Sequence, residues 1–352
     1  MSWQVVSDRE HRRSPMTDRP VLLSVTASAP GKVVLSGEYA VLDGAPAICA
    51  ALDRRARVQI VHSEADHHDV TAPGFSDVRG EFLAVDGVLQ WLVGGDEFAL
   101  LADVWHTANA VPSTNLSLQL DTREFVDTEQ GVKIGIGSSA ALTAALTAAL
   151  CAVAATDVDV TRIAFAAHRR FQGGIGSGVD VACSSAGGLI EYRMGEAASA
   201  ALDWPEDLAY ALFWSGVPVG TGAKIESLDS QAPKPSRAAL VYASRRVAAA
   251  WRSGSAAAIL DEYRDYTKVL SEFSSDHSLG IFDAGHAEMA GVAEAAGLVY
   301  KPCGAGGGDV GILFSDSEDA IASFSEQALP QQFRLMDARL DSIGVQVERN
   351  GQ

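Results

Sequence analysis

Lys133-Ile-Gly-Ile-Gly-Ser-Ser-Ala-Ala141 is the stretch whose reading decides the fold. Two glycines one residue apart run into two serines, and an Ala/Leu pattern then continues from Ser138 to about Ala155, which predicts a helix. Glycine adopts φ > 0 readily and lets successive backbone N–H groups converge. The free amides of the first helical turn and the positive end of the helix dipole then aim at one spot. That is an anion site, and a triphosphate fits it. Gly135 and Gly137 supply the turn, and the amides of Ser138, Ser139 and Ala140 supply the donors. Either serine hydroxyl could also reach a phosphate or a Mg2+ ion. A serine acting only as an N-cap is the plainer alternative. The G-x-x-x-x-G-K-[ST] spacing of a Walker A loop is absent. Gly173–Gly178 is not a dinucleotide fingerprint either, since no strand leads into it and no βαβ unit surrounds it.

Two further glycine-rich segments lie on either side. The first is Ser28-Ala-Pro-Gly-Lys-Val-Val-Leu-Ser-Gly-Glu-Tyr-Ala-Val-Leu42, and the third is Lys301-Pro-Cys-Gly-Ala-Gly-Gly-Gly-Asp-Val-Gly311. One such stretch is usually just a turn. Three in one chain, one of them opening a long helix, point to a folded nucleotide or phosphate site.

The bulk composition agrees with this and narrows it. The chain has 352 residues, enough for two domains, and its 47% apolar and 20% charged residues are those of a well-packed soluble protein. A formal net charge of −18 argues against nucleic acid as a partner. An anionic substrate would therefore be met by local Lys and Arg side chains and backbone dipoles, not by the overall field. Cys49, Cys151, Cys183 and Cys303 are widely spaced with no C-x-x-C pair and no His clusters at ligand spacing, so structural zinc is not expected. No signal peptide precedes the fold, and the expectation is a cytoplasmic protein without a membrane span. The apolar stretch from Ser139 is too short and Ala-rich to cross a bilayer and reads as a buried helix.

Residues 1–20 carry charge, Ser and Pro without apolar periodicity and read as a disordered leader, with Met16 an alternative start. Strands are expected at 21–26, 33–35, 57–61 and 116–121, and helices at 138–155 and 159–171. A strand at 188–193 and a linker at 196–207 follow. The second half opens with a strand at 210–214 and has helices near 237–252, 256–274 and 317–326, strands at 310–314 and 344–348, and Ser315 or Ser317 as a cap. Strands followed by helices in each half give a two-domain α+β protein, divided here into 21–200 and 201–352.

The three segments, in this order, resemble those of the GHMP kinases, the superfamily of galactokinase, homoserine kinase, mevalonate kinase and phosphomevalonate kinase. The resemblance runs from about Thr26 to the end. Within the superfamily it is most similar to the phosphomevalonate kinase family: Gly-Glu-Tyr-Ala at 37–40 where mevalonate kinases have Gly-Glu-His, Lys133 two residues before the glycine loop, and Lys-Pro and Asp in the third segment. It implies a ribosomal-protein-S5-like N-terminal domain and a ferredoxin-like α/β C-terminal domain with the active site between them. It also implies ATP and Mg2+, a phosphorylated small-molecule acceptor, and phosphoryl transfer onto the phosphate of (R)-5-phosphomevalonate. The protein would be a monomer or homodimer. Transfer to a hydroxyl, as in mevalonate kinase, is the alternative, and a non-catalytic nucleotide-binding protein is a remoter one.

By the same resemblance Asp180, in Ser177-Gly-Val-Asp180, is the base or acceptor-orienting group, with Lys32 the cation beside it. Lys133, Gly135, Gly137, Ser138, Ser139 and Ala140 would hold the nucleotide, with Ser139 on the metal. Tyr39, His168, Ser177, Lys301, Cys303, Gly304, Ala305, Gly306 and Gly307 would hold the acceptor. Two departures stand out. Arg169 falls, on an ungapped count, where mevalonate kinase-like members carry a metal-binding Glu, and Cys303 replaces the family's Ser. Arg169, Arg170, Lys224 and Lys301 are the cations available for an acceptor phosphate.

Overall fold

A computed structural model describes residues 24–350 except 157, 197, 221, 230, 231, 233 and 328; the expected leader lies outside the described residues. The first strand, β1 (Ser24–Ser36), joins two stretches that the sequence predicts separately, with irregularities between Pro30 and Gly31 and between Val34 and Ser36. It pairs antiparallel with β2 (Ala47–His62), a long strand whose second half meets β6 (Leu116–Asp121) and whose first half meets β7 (Leu189–Tyr192). Between these come β3 (His68–Ala72), β4 (Ser76–Val85), β5 (Val88–Val93) and helix α1 (Ala99–Ala108). β6 (Leu116–Asp121) alternates buried and partly exposed residues, as a strand with one face on a core should.

Helix α2 (Ser138–Val153) is buried on almost every face, including Ala144, Leu146, Thr147 and Leu150, so its apolar character is that of a core helix. Its expected end at 155 is two residues long, because Ala155 turns to φ 50. Asp159 caps α3 (Val160–Phe171) by accepting from the Arg162 amide. Then follow α4 (Val179–Ala186), β7 (Leu189–Tyr192) and β8 (Ala200–Leu202); β8 occupies part of the expected linker. Alanine-rich β8 gives no strand signal by itself and forms by pairing with β7.

The second half contains β9 (Ala209–Trp214), α5 (Gly222–Asp229), α6 (Pro235–Ser253), α7 (Ala256–His277), α8 (His286–Ala295), β10 (Val299–Pro302), β11 (Val310–Ser315), α9 (Glu318–Gln327), β12 (Arg334–Leu335) and β13 (Gln346–Asn350). Ser317 caps α9 through its bond to the Ala320 amide. Two sheets result: nine strands built around β13-β1-β2-β6-β3-β4-β5, and four in the order β10-β11-β9-β12. The last strand, β13, leaves its own half and pairs antiparallel with β1. One apolar cluster joins the halves, taking Val33, Leu35 and Ile48 from the first sheet, Leu212 and Ile312 from the second, and Tyr263 and Tyr266 from α7.

Candidate active site

The three glycine segments meet where the halves face each other. The Lys32 amide donates to the Ile136 carbonyl at 2.8 Å, so the first segment is hydrogen-bonded to the second. Gly135 and Gly137 have φ of 92° and 83°. A Cβ on Gly135 would lie 2.1 Å from the Asp309 carboxyl carbon, and one on Gly137 would lie 2.8 Å from Cε of Lys32. Only glycine therefore allows this loop to pack between the other two. The N-cap of α2 is Gly137, without side-chain capping, so Ser138 and Ser139 stand in the first turn with their hydroxyls not used as caps.

Lys32 is 8% exposed, and its Nζ lies 3.2 Å from Oδ1 of Asp180. Burial works to lower the pKa of this ammonium, but Asp180, helped by Cys49 and Asp309, outweighs it and holds Lys32 firmly charged. Gly178 is the N-cap of α4, so Asp180 sits in the first turn as a charge near the positive helix end, not as the cap. His168, 3% exposed, points Nε2 at Ser139 Oγ, 3.2 Å away. Burial depresses the His168 pKa, Asp180 opposes that and Lys32 adds to it, which leaves a neutral ring. Arg169 is exposed, and its side chain reaches only the Gly174 carbonyl at 3.4 Å. His168, not Arg169, is the α3 side chain that faces Ser139.

These groups line a cleft of about 410 Å³, with Lys32, Tyr39, Ser139, His168, Ser177, Asp180, Gly304 and Ala305 on its walls. On the far side of Ser138 and Ser139, a smaller hollow of about 170 Å³ is walled by Phe75, Phe98, Leu101, Leu142 and Lys133. Lys133 Nζ stands 5.0 Å from the centre of the Phe75 ring. Phe171 and Ser139 border both spaces. A polar, glycine-rich turn thus lies between a charged cleft and an apolar slot.

Of the expected acceptor contacts, Lys301, Cys303, Gly306 and Gly307 lie off the cleft walls. Lys301 is fully buried and its Nζ is held 2.5 Å from Glu38 Oε1. Tyr266 donates to Glu38 Oε2 at 2.6 Å and accepts the Gly37 amide at 2.9 Å, closing the network. The charge of Lys301 is thus met by Glu38 inside the core. Cys303 is 7% exposed, off the cleft walls, and burial pushes its thiol up to about 11, so it is a packing residue there. Gly306 and Gly307 lie behind Gly304 and Ala305, around the side chain of Lys224. Ser177 reaches the cleft, while its Oγ accepts the Val179 amide at 3.3 Å. Tyr39 has φ 58 and donates its hydroxyl to the Ala305 carbonyl at 2.8 Å, linking the first and third segments.

Glu38, Tyr266 and Asp309 were missed as site-building residues. Glu38 and Asp309 stand inside the quoted motifs, so their charge was the available signal; Tyr266, in mid-helix, gave none. Burial raises the Asp309 carboxyl to about 6, against the pull of the Val219 amide, Lys32 and Lys224.

Residues 104–188 match the family model for the GHMP kinases N terminal domain. The solved structure of Streptococcus pneumoniae phosphomevalonate kinase with phosphomevalonate and AMPPNP has the same fold, with a TM-score of 0.74 over 90% of this chain and 99% of that one at 17% identity. Methanococcus jannaschii mevalonate kinase gives 0.67, covering 90% of this chain and 98% of its own at 13% identity. The chain is thus similar to the GHMP kinases in sequence over residues 104–188 and in fold over most of its length. It is also similar in sequence to phosphomevalonate kinase: 28% identity to that enzyme from a Streptomyces species runs over 343 residues, 84% of this chain and 91% of the other. Mevalonate kinase from Methanothermobacter thermautotrophicus is 32% identical over 167 residues, 47% of this chain and 49% of its own.

Proposed function

We propose that this chain transfers the γ-phosphoryl group of ATP to the phosphate of (R)-5-phosphomevalonate, giving 5-diphosphomevalonate. The observation that carries the proposal is the meeting of Lys32, Asp180, Ser139 and the Gly304–Ala305 wall in one cleft beside the turn that opens α2. The lengthwise similarity to phosphomevalonate kinase supports the choice of acceptor, since the matches to mevalonate kinases span about half of those proteins.

The triphosphate would lie across the amides of Ser138, Ser139 and Ala140, where the α2 dipole favours negative charge. The apolar slot beside Phe75 and Lys133 is shaped to take the base. The donor set suits Mg2+: among the described residues no three acidic, His or Cys side chains gather as a metal cage, and Mg2+ prefers phosphate oxygens and water with one or two protein ligands. Ser139 and Asp180 are the side chains that would hold it, and the ion would neutralise charge developing on the transferred group. Asp180 orients the acceptor. An anionic phosphate needs little deprotonation, so positioning and charge neutralisation dominate. Lys32 supplies a fixed positive charge beside the path of transfer.

A coupled ADP-release assay comparing 5-phosphomevalonate with mevalonate tests the reaction; turnover restricted to mevalonate would overturn it. Asp180→Asn is expected to lower kcat by about a hundredfold while KM for ATP stays within about twofold. Unchanged turnover would take Asp180 out of the mechanism. Ser139→Ala is expected to raise the Mg2+ concentration for half-maximal rate by about tenfold. An unaltered Mg2+ titration would remove Ser139 from the metal.

A further inference from the structure

We infer that Lys224 is the specificity-determining cation that binds the acceptor's own phosphate, an inference that rests on the reaction proposed above. Four cations were candidates for that contact, and the structure separates them. Lys301 is committed to Glu38 inside the core. Arg170 pairs with Asp103 at 2.6 Å, on the exposed side of α3. Arg169 is exposed, and the carbonyl it contacts, that of Gly174, lies off the cleft walls, whereas Lys224 contacts Ala305 on them. Lys224 alone is half-buried without a matching anion.

Its surroundings are those of a cation awaiting one. The Nζ donates to the Gly306 carbonyl at 2.7 Å and makes longer contacts to Ala305 and Gly280 carbonyls at 3.4 and 3.5 Å. Among the described residues no carboxylate approaches it to ion-pair distance. Burial lowers its pKa, and Asp283 and Asp309 only partly offset that from further away. Its neighbours on α5, Gly222 and Ile225, line the cleft, as do Gly304 and Ala305 of the loop it grips. The ammonium therefore stands just behind the stretch of cleft wall made by Gly222, Ile225, Gly304 and Ala305. Lys32 is already balanced by Asp180, so a second anion entering the cleft needs a second positive charge. In a chain of net charge −18, such a residue has to be local. A flexible stem carrying a point charge allows the ammonium to swing from carbonyls onto a phosphate.

The test uses Lys224→Gln and Lys224→Met in the full chain. Glutamine keeps a donor for the carbonyls and loses the charge, so it remains informative if the methionine variant does not fold. A hydrogen bond to a charged group contributes about 1.5–3 kcal/mol. KM for 5-phosphomevalonate is accordingly expected to rise by roughly ten- to a hundredfold, with KM for ATP and the thermal midpoint of Lys224→Gln close to wild type. The rise should shrink at high ionic strength, where wild-type affinity itself weakens. An unchanged KM for 5-phosphomevalonate in Lys224→Gln overturns the inference, as does a rise confined to ATP, which would place Lys224 on the nucleotide. Both readings leave the proposed reaction intact as long as the wild-type protein turns over 5-phosphomevalonate. Wild-type turnover of mevalonate alone overturns the reaction and this inference together.

Discussion

Replacing Lys32 with methionine is expected to lower kcat by about a thousandfold or more, with little change in the thermal midpoint. Removing one fixed positive group that faces developing charge typically costs on the order of 10²–10³ in rate, and phosphoryl transfer, which depends almost wholly on charge neutralisation, is at the upper end or beyond it. Folding should survive, because the partner left behind, Asp180, keeps a side chain one-third exposed to solvent. Lys32→Arg should recover little: the lysine stem runs against Gly137, where a single added carbon would already come within 2.8 Å. The wider, planar guanidinium has no room to take the same line. Steady-state kinetics on both variants decide the matter. A fall in protein yield with normal kcat in the surviving enzyme would make Lys32 structural.

The second large effect concerns stability. Glu38→Ala leaves Lys301, fully buried, facing Tyr266 with no counter-charge. Breaking a buried pair from one side costs about 3–5 kcal/mol, whereas replacing both partners with apolar groups of similar size is often neutral. Glu38→Ala and Lys301→Met should each lower the denaturant midpoint sharply, and Glu38→Leu with Lys301→Met together should recover most of the loss. Simple addition of the two single losses would show that the pair does not act as a unit. Because Glu38 also anchors the turn carrying Tyr39, whose φ of 58 is unusual for a non-glycine residue, the single variants should also weaken acceptor binding.

Much of this was legible in the chain. The turn before α2, the buried character of that helix and the span of α3 follow from motifs or local periodicity, and the convergence of Lys32 with Asp180 from the family resemblance. What escaped has a common cause. The strands at 68–93 and helix α1 carry mixed, weakly alternating sequences that become regular only through neighbours such as β6. The pairing of Glu38 with Lys301 spans 263 positions, and nothing local to either residue announces it. Lys301 reads as a binding cation because lysine is rarely buried; its place in the core is set by tertiary packing alone. Cys303, expected by resemblance to face the ligand, follows directly on the end of β10, buried and off the cleft walls.

The return of β13 to β1 has a bearing on how the polypeptide matures. Among the described residues, the outer edge of β1 over residues 24–28 is covered by residues 346–350, and the approach to it is fastened by Arg55, which binds the Asp341 carboxylate and the Ile343 and Gly344 carbonyls. During synthesis β1 therefore emerges more than 300 residues ahead of the strand that covers it, and its edge stays bare until β13 has left the ribosome. Unpaired edges invite pairing with other chains. The nascent protein is thus vulnerable to misassembly for the whole interval between β1 and β13, and removing residues 346–350 should be felt first as aggregation through the edge of β1.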